Sequence, residues 1–250
     1  SYQYSWVDKT SASSKSNRYD PETRTYPEGF SIQDIGKRLA SHRLCTQADF
    51  EHFSHTQAKS TFEEEFPFLR DVPAQTIEGY LYPETYYFQP TESIHVITLS
   101  MLKAFKKAIY DPFITSPASH TYRFHELLTL ASMIQKESRV IAEMPLISSV
   151  FYNRLKKRMR LASDPTVVYA LGKSYKDKVY YKDLKIKSPY NTYRVGGFPP
   201  TPIASPGTKA FDAALNPETT DYLFFVAKKD GYHHFTRTYK EHLAFQRKNK

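Results

Sequence analysis

The chain has 250 residues, 40% hydrophobic and 24% charged, with a formal net charge of +9. That length and composition fit one large or two smaller globular domains with an ample core, and exclude a disordered chain. The single cysteine, Cys45, excludes an intrachain disulfide and a four-cysteine zinc site, and no apolar run approaches the ~20 residues of a membrane-spanning helix.

Residues 1–25 show little periodicity and read as an arm or an edge strand. In PEGFSIQDIGKRLA, Ser31 is an N-cap, and Ile32, Ile35 and Leu39 follow on one helical face. A second short helix is expected over 47–58. With the proline-bounded connection FPFLRDVPAQ, at 66–75, these make a compact module over 26–75. A larger unit is expected over 76–250. In it, TIEGYLYPETYYF carries Pro83 and reads as two short strands or an extended turn. Amphipathic helices are expected over 93–110, 124–138 and 145–159.

From residue 160 the chain is loop-rich. LASDPTVVY, at 161–169, reads either as a helix stop followed by a strand start or as a substrate-binding turn. SPYNTYRVGGFPPTPIASPG, at 188–207, holds five prolines and three glycines, which excludes a regular element. Long loops of this kind inside compact domains are often functional. A short helix in TKAFDAALNP, a buried strand in DYLFFVAKK, a returning strand in GYHHFTR and a last helix in YKEHLAFQRK complete an α+β chain of helices and short strands.

The basic excess lies largely in KKRMR, at 156–160, and in the QRKNK tail. Such charge suits nucleic acid, anionic lipid or an acidic polymer, but no base-reading motif is present, so nucleic acid is not the expected partner. Tyrosine, at 20 residues, combines an apolar face with a polar tip, which suits carbohydrate. No signal-peptide pattern opens the chain. It begins on Ser rather than Met, as expected of a trimmed chain whose upstream anchor has been removed.

One carboxylate stands out. Leu127, Leu130, Ala131, Ile134 and Ile141 mark a buried helical stripe, and Glu137 continues it. A carboxyl on an apolar stripe is desolvated, which raises its pKa and keeps it protonated for general acid work near neutral pH. The plainer alternative is a helix-terminal Glu that reaches solvent or pairs with Arg139. His233 and His234 project to opposite faces of a strand and make a poor pair of ligands. No cluster has metal-ligand spacing, and there is no GxSxG elbow or phosphate-binding glycine loop, so neither metal nor cofactor is expected.

Five blocks in order carry a resemblance: IEGYLYPETY at 77–86, ASMIQKES at 131–138, VFYNRLKKRMRLASDPTVVYALG at 150–172, the 188–207 stretch, and DYLFFVAKKDGYHHFTRTYKEH at 221–242. Together they resemble the MltG/YceG-like family of endolytic murein transglycosylases. The resemblance implies cleavage of the β-1,4 bond between N-acetylmuramic acid and N-acetylglucosamine inside peptidoglycan strands, leaving 1,6-anhydromuramic ends. The family's catalytic glutamate falls on Glu137, and Gln135 stands where the family usually has a further glutamate. One carboxyl fits that reaction, whereas hydrolysis needs two.

By the same resemblance Asp164 and Thr166 lie beside the glycan, with backbone capping by Asp164 as the alternative. Asn191 and Tyr193 suit hydrogen bonding and stacking, or loop scaffolding. Glu78 and Tyr80 line the site, or Glu78 pairs with Arg154. Asn153 contacts substrate or, with Arg154, orients loops. His233 matches a family position, and Glu241 and His242 are expected in buried structural hydrogen bonds. Arg158 stands where the family often has Gly, Phe198 where it has Leu, Thr201 where it has Gly, and Leu243 where it has Asn.

PEGFSIQDIGKRLA is similar to the family's LysM-like subdomain. The family further implies an N-terminal helix anchored in the cytoplasmic membrane, a domain facing the cell wall, and a synthesis complex with penicillin-binding proteins. The competing reading is a peptidoglycan-binding module with little or no turnover.

Overall fold

The computed structural model of the chain describes residues 23–120, 123–173 and 179–248. Most of the expected N-terminal arm, residues 1–22, lies outside the described residues. Its last residues form β1 (Thr23–Thr25), which pairs antiparallel with β2 (Thr85–Tyr87), Thr23 opposite Tyr87. Between these strands run α1 (Ile32–Ser41), α2 (Gln47–Thr56) and the short α3 (Ala58–Phe62). Ser31 caps α1 as its sequence demands: its hydroxyl accepts from Asp34 N and its own N–H donates to Asp34 Oδ2. Ile32, Ile35 and Leu39 form the buried face.

Of the IEGYLYPETYYF stretch only β2 is a strand; Ile77–Tyr80 is a tight turn closed by the Tyr80 N–H on Ile77 O. Gly79 sits there at φ +88, and a Cβ would lie 2.3 Å from Pro202 Cβ, so this position requires glycine on both counts. Next come α4 (Ile94–Phe105), a π-helical turn over Lys106–Tyr110, and α5 (Asp111–Ile114), whose first turn tolerates Pro112. The helical path therefore runs past the expected end at 110.

The centre of the molecule is α6 (Phe124–Glu137), packed along α9 (Thr208–Leu215) and beside α7 (Met144–Lys156). Buried residues from Tyr26 to Ala214 form one contiguous apolar cluster, so α1 and α6 share a core. The proline-rich 188–207 stretch is no surface loop at its end: residues 201–207 are all buried. Side chains of α6 satisfy its backbone, with Ile203 N donating to Ser132 Oγ and Gly207 N to Gln135 Oε1.

Residues Asp164–Ala170 form α8, a helix where the β-branched run suggested a strand. Pro165 in the first turn presets the helical φ, and burial of Thr166, Val167 and Val168 outweighs their strand propensity. Finally β3 (Phe224–Ala227) and β4 (His233–Thr236) form a hairpin followed by α10 (Tyr239–Lys248). The hairpin is half-buried rather than buried, because α10 covers it with no buried residue of its own. The described residues form an α+β architecture with two separate two-stranded sheets.

Candidate active site

Glu137 is the last residue of α6, and extended Ser138 turns the chain away after it. Leu127, Leu130, Ala131 and Ile134 are buried as expected, but Ile141 is 59% exposed because the helix has ended before it. Glu137 makes no ion pair with Arg139 among the described residues. Instead its Oε1 accepts a 2.6 Å hydrogen bond from Ser163 Oγ.

Ser163 is the N-cap residue of α8 yet makes no side-chain cap, so its hydroxyl is free for Glu137. It is fixed by its own N–H on Thr192 Oγ1, and Thr166 Oγ1 donates to Ser163 O while pairing with Thr192 Oγ1. The Glu137 side chain keeps partial exposure to a cleft, but the surrounding protein desolvates its carboxyl and pushes the pKa up to about 7. The Ser163 hydrogen bond opposes that rise, the Asp164 charge adds to it, and the Arg154 guanidinium opposes it.

The cleft has a volume of about 520 Å³, and Glu137, Asp164, Tyr180 and His233 line it together with Lys136 and Pro165. That is the size range of small-ligand sites. Asp164 is exposed, and its Oδ1 accepts from the Tyr193 hydroxyl, so Tyr193 reaches the site through Asp164. His233 is held by Glu143, which takes its backbone N–H at 2.9 Å and sits 3.0 Å from its Nδ1. A larger cleft of about 940 Å³ lies among Phe68, Tyr110, Phe124 and Phe198, and none of the sequence-predicted site residues lines it.

Other predicted site residues are bonded within the protein, and Glu78, Tyr80, Thr166 and Asn191 among them are buried. Tyr80 is 0% exposed; its ring stacks on Phe68 and its hydroxyl pairs with His125 Nδ1. Glu78 accepts from Ile32 N and the Tyr169 hydroxyl rather than pairing with Arg154, and burial pushes its pKa up to about 8. Asn191 donates to Leu184 O and Ile186 O. Asn153 donates to Thr220 O and Tyr222 O, while Arg154 holds Leu223 O and Leu161 O, so both orient loops. Glu241 is exposed, contrary to the expected burial, and accepts from Arg237 N and Thr238 N at the start of α10.

Ser163, Thr192 and Glu143 belong to this arrangement without having been singled out in the sequence. A Ser directly before Asp-Pro is a helix-start signal that points to Ser163. No local signal links Glu143 to His233, 90 residues away.

A family model described as the YceG-like family matches residues 5–248. The endolytic murein transglycosylase of Bacillus subtilis (strain 168) is 48% identical over 167 residues, covering 66% of this chain and 46% of that protein. Its counterpart of the same name in Streptococcus pneumoniae serotype 2 (strain D39) is 32% identical over 222 residues, covering 82% of this chain and 40% of that protein. The chain thus spans less than half the length of these curated relatives. A crystal structure of a yceG-like protein from Listeria monocytogenes superimposes with a TM-score of 0.81 at 37% identity, covering 90% of this chain and 76% of that one.

Proposed function

We propose, from the premise that this chain belongs to the YceG-like family, that it is an endolytic lytic transglycosylase. It cleaves the β-1,4 bond between N-acetylmuramic acid and N-acetylglucosamine within peptidoglycan strands and leaves 1,6-anhydro ends. The observation that carries this reading is Glu137: a cleft-lining carboxyl with its pKa raised to about 7 and its oxygen held by Ser163.

The protonated Glu137 donates to the departing glycosidic oxygen as the bond to C1 breaks. The resulting carboxylate then takes the proton of the muramic acid C6 hydroxyl as that oxygen bonds to C1. The carboxyl ends as it began and no water is consumed. A pKa near the working pH suits a group that must serve as acid and then as base. The hydroxyl of Ser163 steadies the carboxylate between the two steps.

Asp164, Tyr193 and His233 contact the sugars in this reading, the first two as a coupled pair. Glu78, Tyr80, Asn153, Thr166 and Asn191 act behind the wall by fixing the loops that carry them. In the same reading 26–75 is a LysM-like, glycan-holding subdomain beside a catalytic unit over 76–250; it holds α1, α2 and α3, and the paired strands β1 and β2 flank it on either side.

The names of the relatives support a cell-envelope location. Anchoring in the cytoplasmic membrane and work alongside penicillin-binding proteins belong to the same proposal. Among the described residues no helix is long and apolar enough to cross a membrane. The test is the chemistry of the new chain ends after digestion of purified glycan strands. Anhydro ends are expected, and reducing ends overturn the transglycosylase in favour of hydrolysis.

A further inference from the structure

We propose that Tyr180 is a sugar-stacking platform on the rim of the Glu137 cleft. It takes a saccharide ring of the bound strand away from the scissile bond, with Lys182 and Arg139 nearby for the strand's carboxylates. This rests on the glycan reading above and extends it to a second subsite.

Two neighbouring tyrosines are displayed to solvent: Tyr180 is 57% exposed and Tyr181 78%. Tyr180 lines the cleft together with Glu137, Asp164 and Pro165, whereas Tyr181 does not. An exposed aromatic ring on a cleft that mixes charged and apolar side chains offers a flat apolar face and a polar tip. A pyranose ring has the matching character, with C–H groups on its faces and hydroxyls around its edge.

The display is built. Tyr180 N donates to Asp183 Oδ2 at 2.9 Å, and Asp183 N donates back to Tyr180 O at 2.8 Å, closing a turn. Asp183 is only 7% exposed, and the same Oδ2 receives Lys173 Nζ at 3.0 Å. Lys173 follows the end of α8, the helix that begins at Asp164, so the platform is tied to the catalytic wall. The ammonium groups of Lys173 and Lys182 each lie 5.9 Å from the Tyr180 ring centroid, and exposed Arg139 stands on the same cleft. Lys173 is held by Asp183, and the charges of Lys182 and Arg139 match the lactyl-linked peptide carboxylates that project from such a strand.

The test measures the affinity of purified glycan strands for the chain carrying Glu137→Gln, which blocks turnover. It compares this background alone with the background plus Tyr180→Ala, Tyr180→Phe or Tyr181→Ala. Tyr180→Ala is expected to raise Kd about tenfold. Tyr180→Phe, which keeps the ring face, and Tyr181→Ala are expected to bind as the background does. An unchanged Kd in Tyr180→Ala, or an equal loss in Tyr181→Ala, overturns the assignment. Cleavage by the unsubstituted chain is scored separately: strands that bind without being cut overturn the proposed reaction and leave Tyr180 to be decided by the Kd comparison. Strands that neither bind nor are cut overturn both.

Discussion

The hydroxyl of Ser163 donates a 2.6 Å hydrogen bond to Glu137 Oε1, joining the last residue of α6 to the N-cap of α8. This bond favours the charged carboxylate, while burial favours the neutral acid, and burial wins. The balance sets the pH range over which Glu137 can donate a proton.

Removing the weaker opponent has a defined sign. In Ser163→Ala the Glu137 pKa rises further, so the alkaline limb of kcat/KM moves up by about one unit. The carboxyl also loses its anchor, and kcat falls. A pH profile of strand cleavage checks both effects; a limb that stays in place or moves down contradicts the role of Ser163.

Asp164 acts in the opposite sense, because its negative charge pushes the Glu137 pKa up. Asp164→Asn therefore moves the same limb down, by about half a unit for partly exposed charges. It also weakens the bond from Tyr193, whose acceptor is no longer charged, and KM rises. Profiles of the two variants that shift in the same direction contradict this electrostatic picture.

Stability should depend on pH through Glu78. Its pKa in the folded protein is about 8, above the ordinary 4.5, so the native state holds a proton that the unfolded chain releases. The resulting stabilisation is fully present below about 4.5 and is lost as pH rises through about 8. Glu137, raised to about 7, contributes with the same sign. Urea midpoints across this window are expected to fall for the unsubstituted chain and to fall less for Glu78→Gln, which still accepts from Ile32 N and Tyr169. An equal fall in both chains contradicts the account.

Arg158 occupies a left-handed position at φ 56, just after α7. Its N–H reaches Leu155 O and that of Met159 reaches Arg154 O, the hydrogen-bond pair of a Schellman helix end. This position favours glycine, the residue the family often has there. Arg158→Gly is expected to stabilise the fold by about 1 kcal/mol, read as a rise in Tm with unchanged cleavage.

How far the sequence reveals the site follows from the range of each signal. Glu137 is legible because the helical stripe leads to it over only three residues from Ile134. The stripe overran to Ile141 because nothing in the residue pattern marks extended Ser138 as the stop. The VVY run carries strand propensity, but its burial inside the fold made it helical. Tyr80 and Asn191 lie in motif blocks just as Glu137, Asp164 and His233 do, and a motif does not tell a buried scaffold residue from a cleft-lining one. The pairs Ser163–Glu137 and Glu143–His233 join residues 26 and 90 apart, beyond any local pattern.

In this mechanism Glu137 alone supplies the acid and the base. The most direct test is mass spectrometry of glycan strands digested by the unsubstituted chain and by Glu137→Gln. Anhydro-ended fragments are expected from the first and no cleavage by the second, with the strands still bound. Anhydro-ended fragments from Glu137→Gln at the rate of the unsubstituted chain would contradict this mechanism.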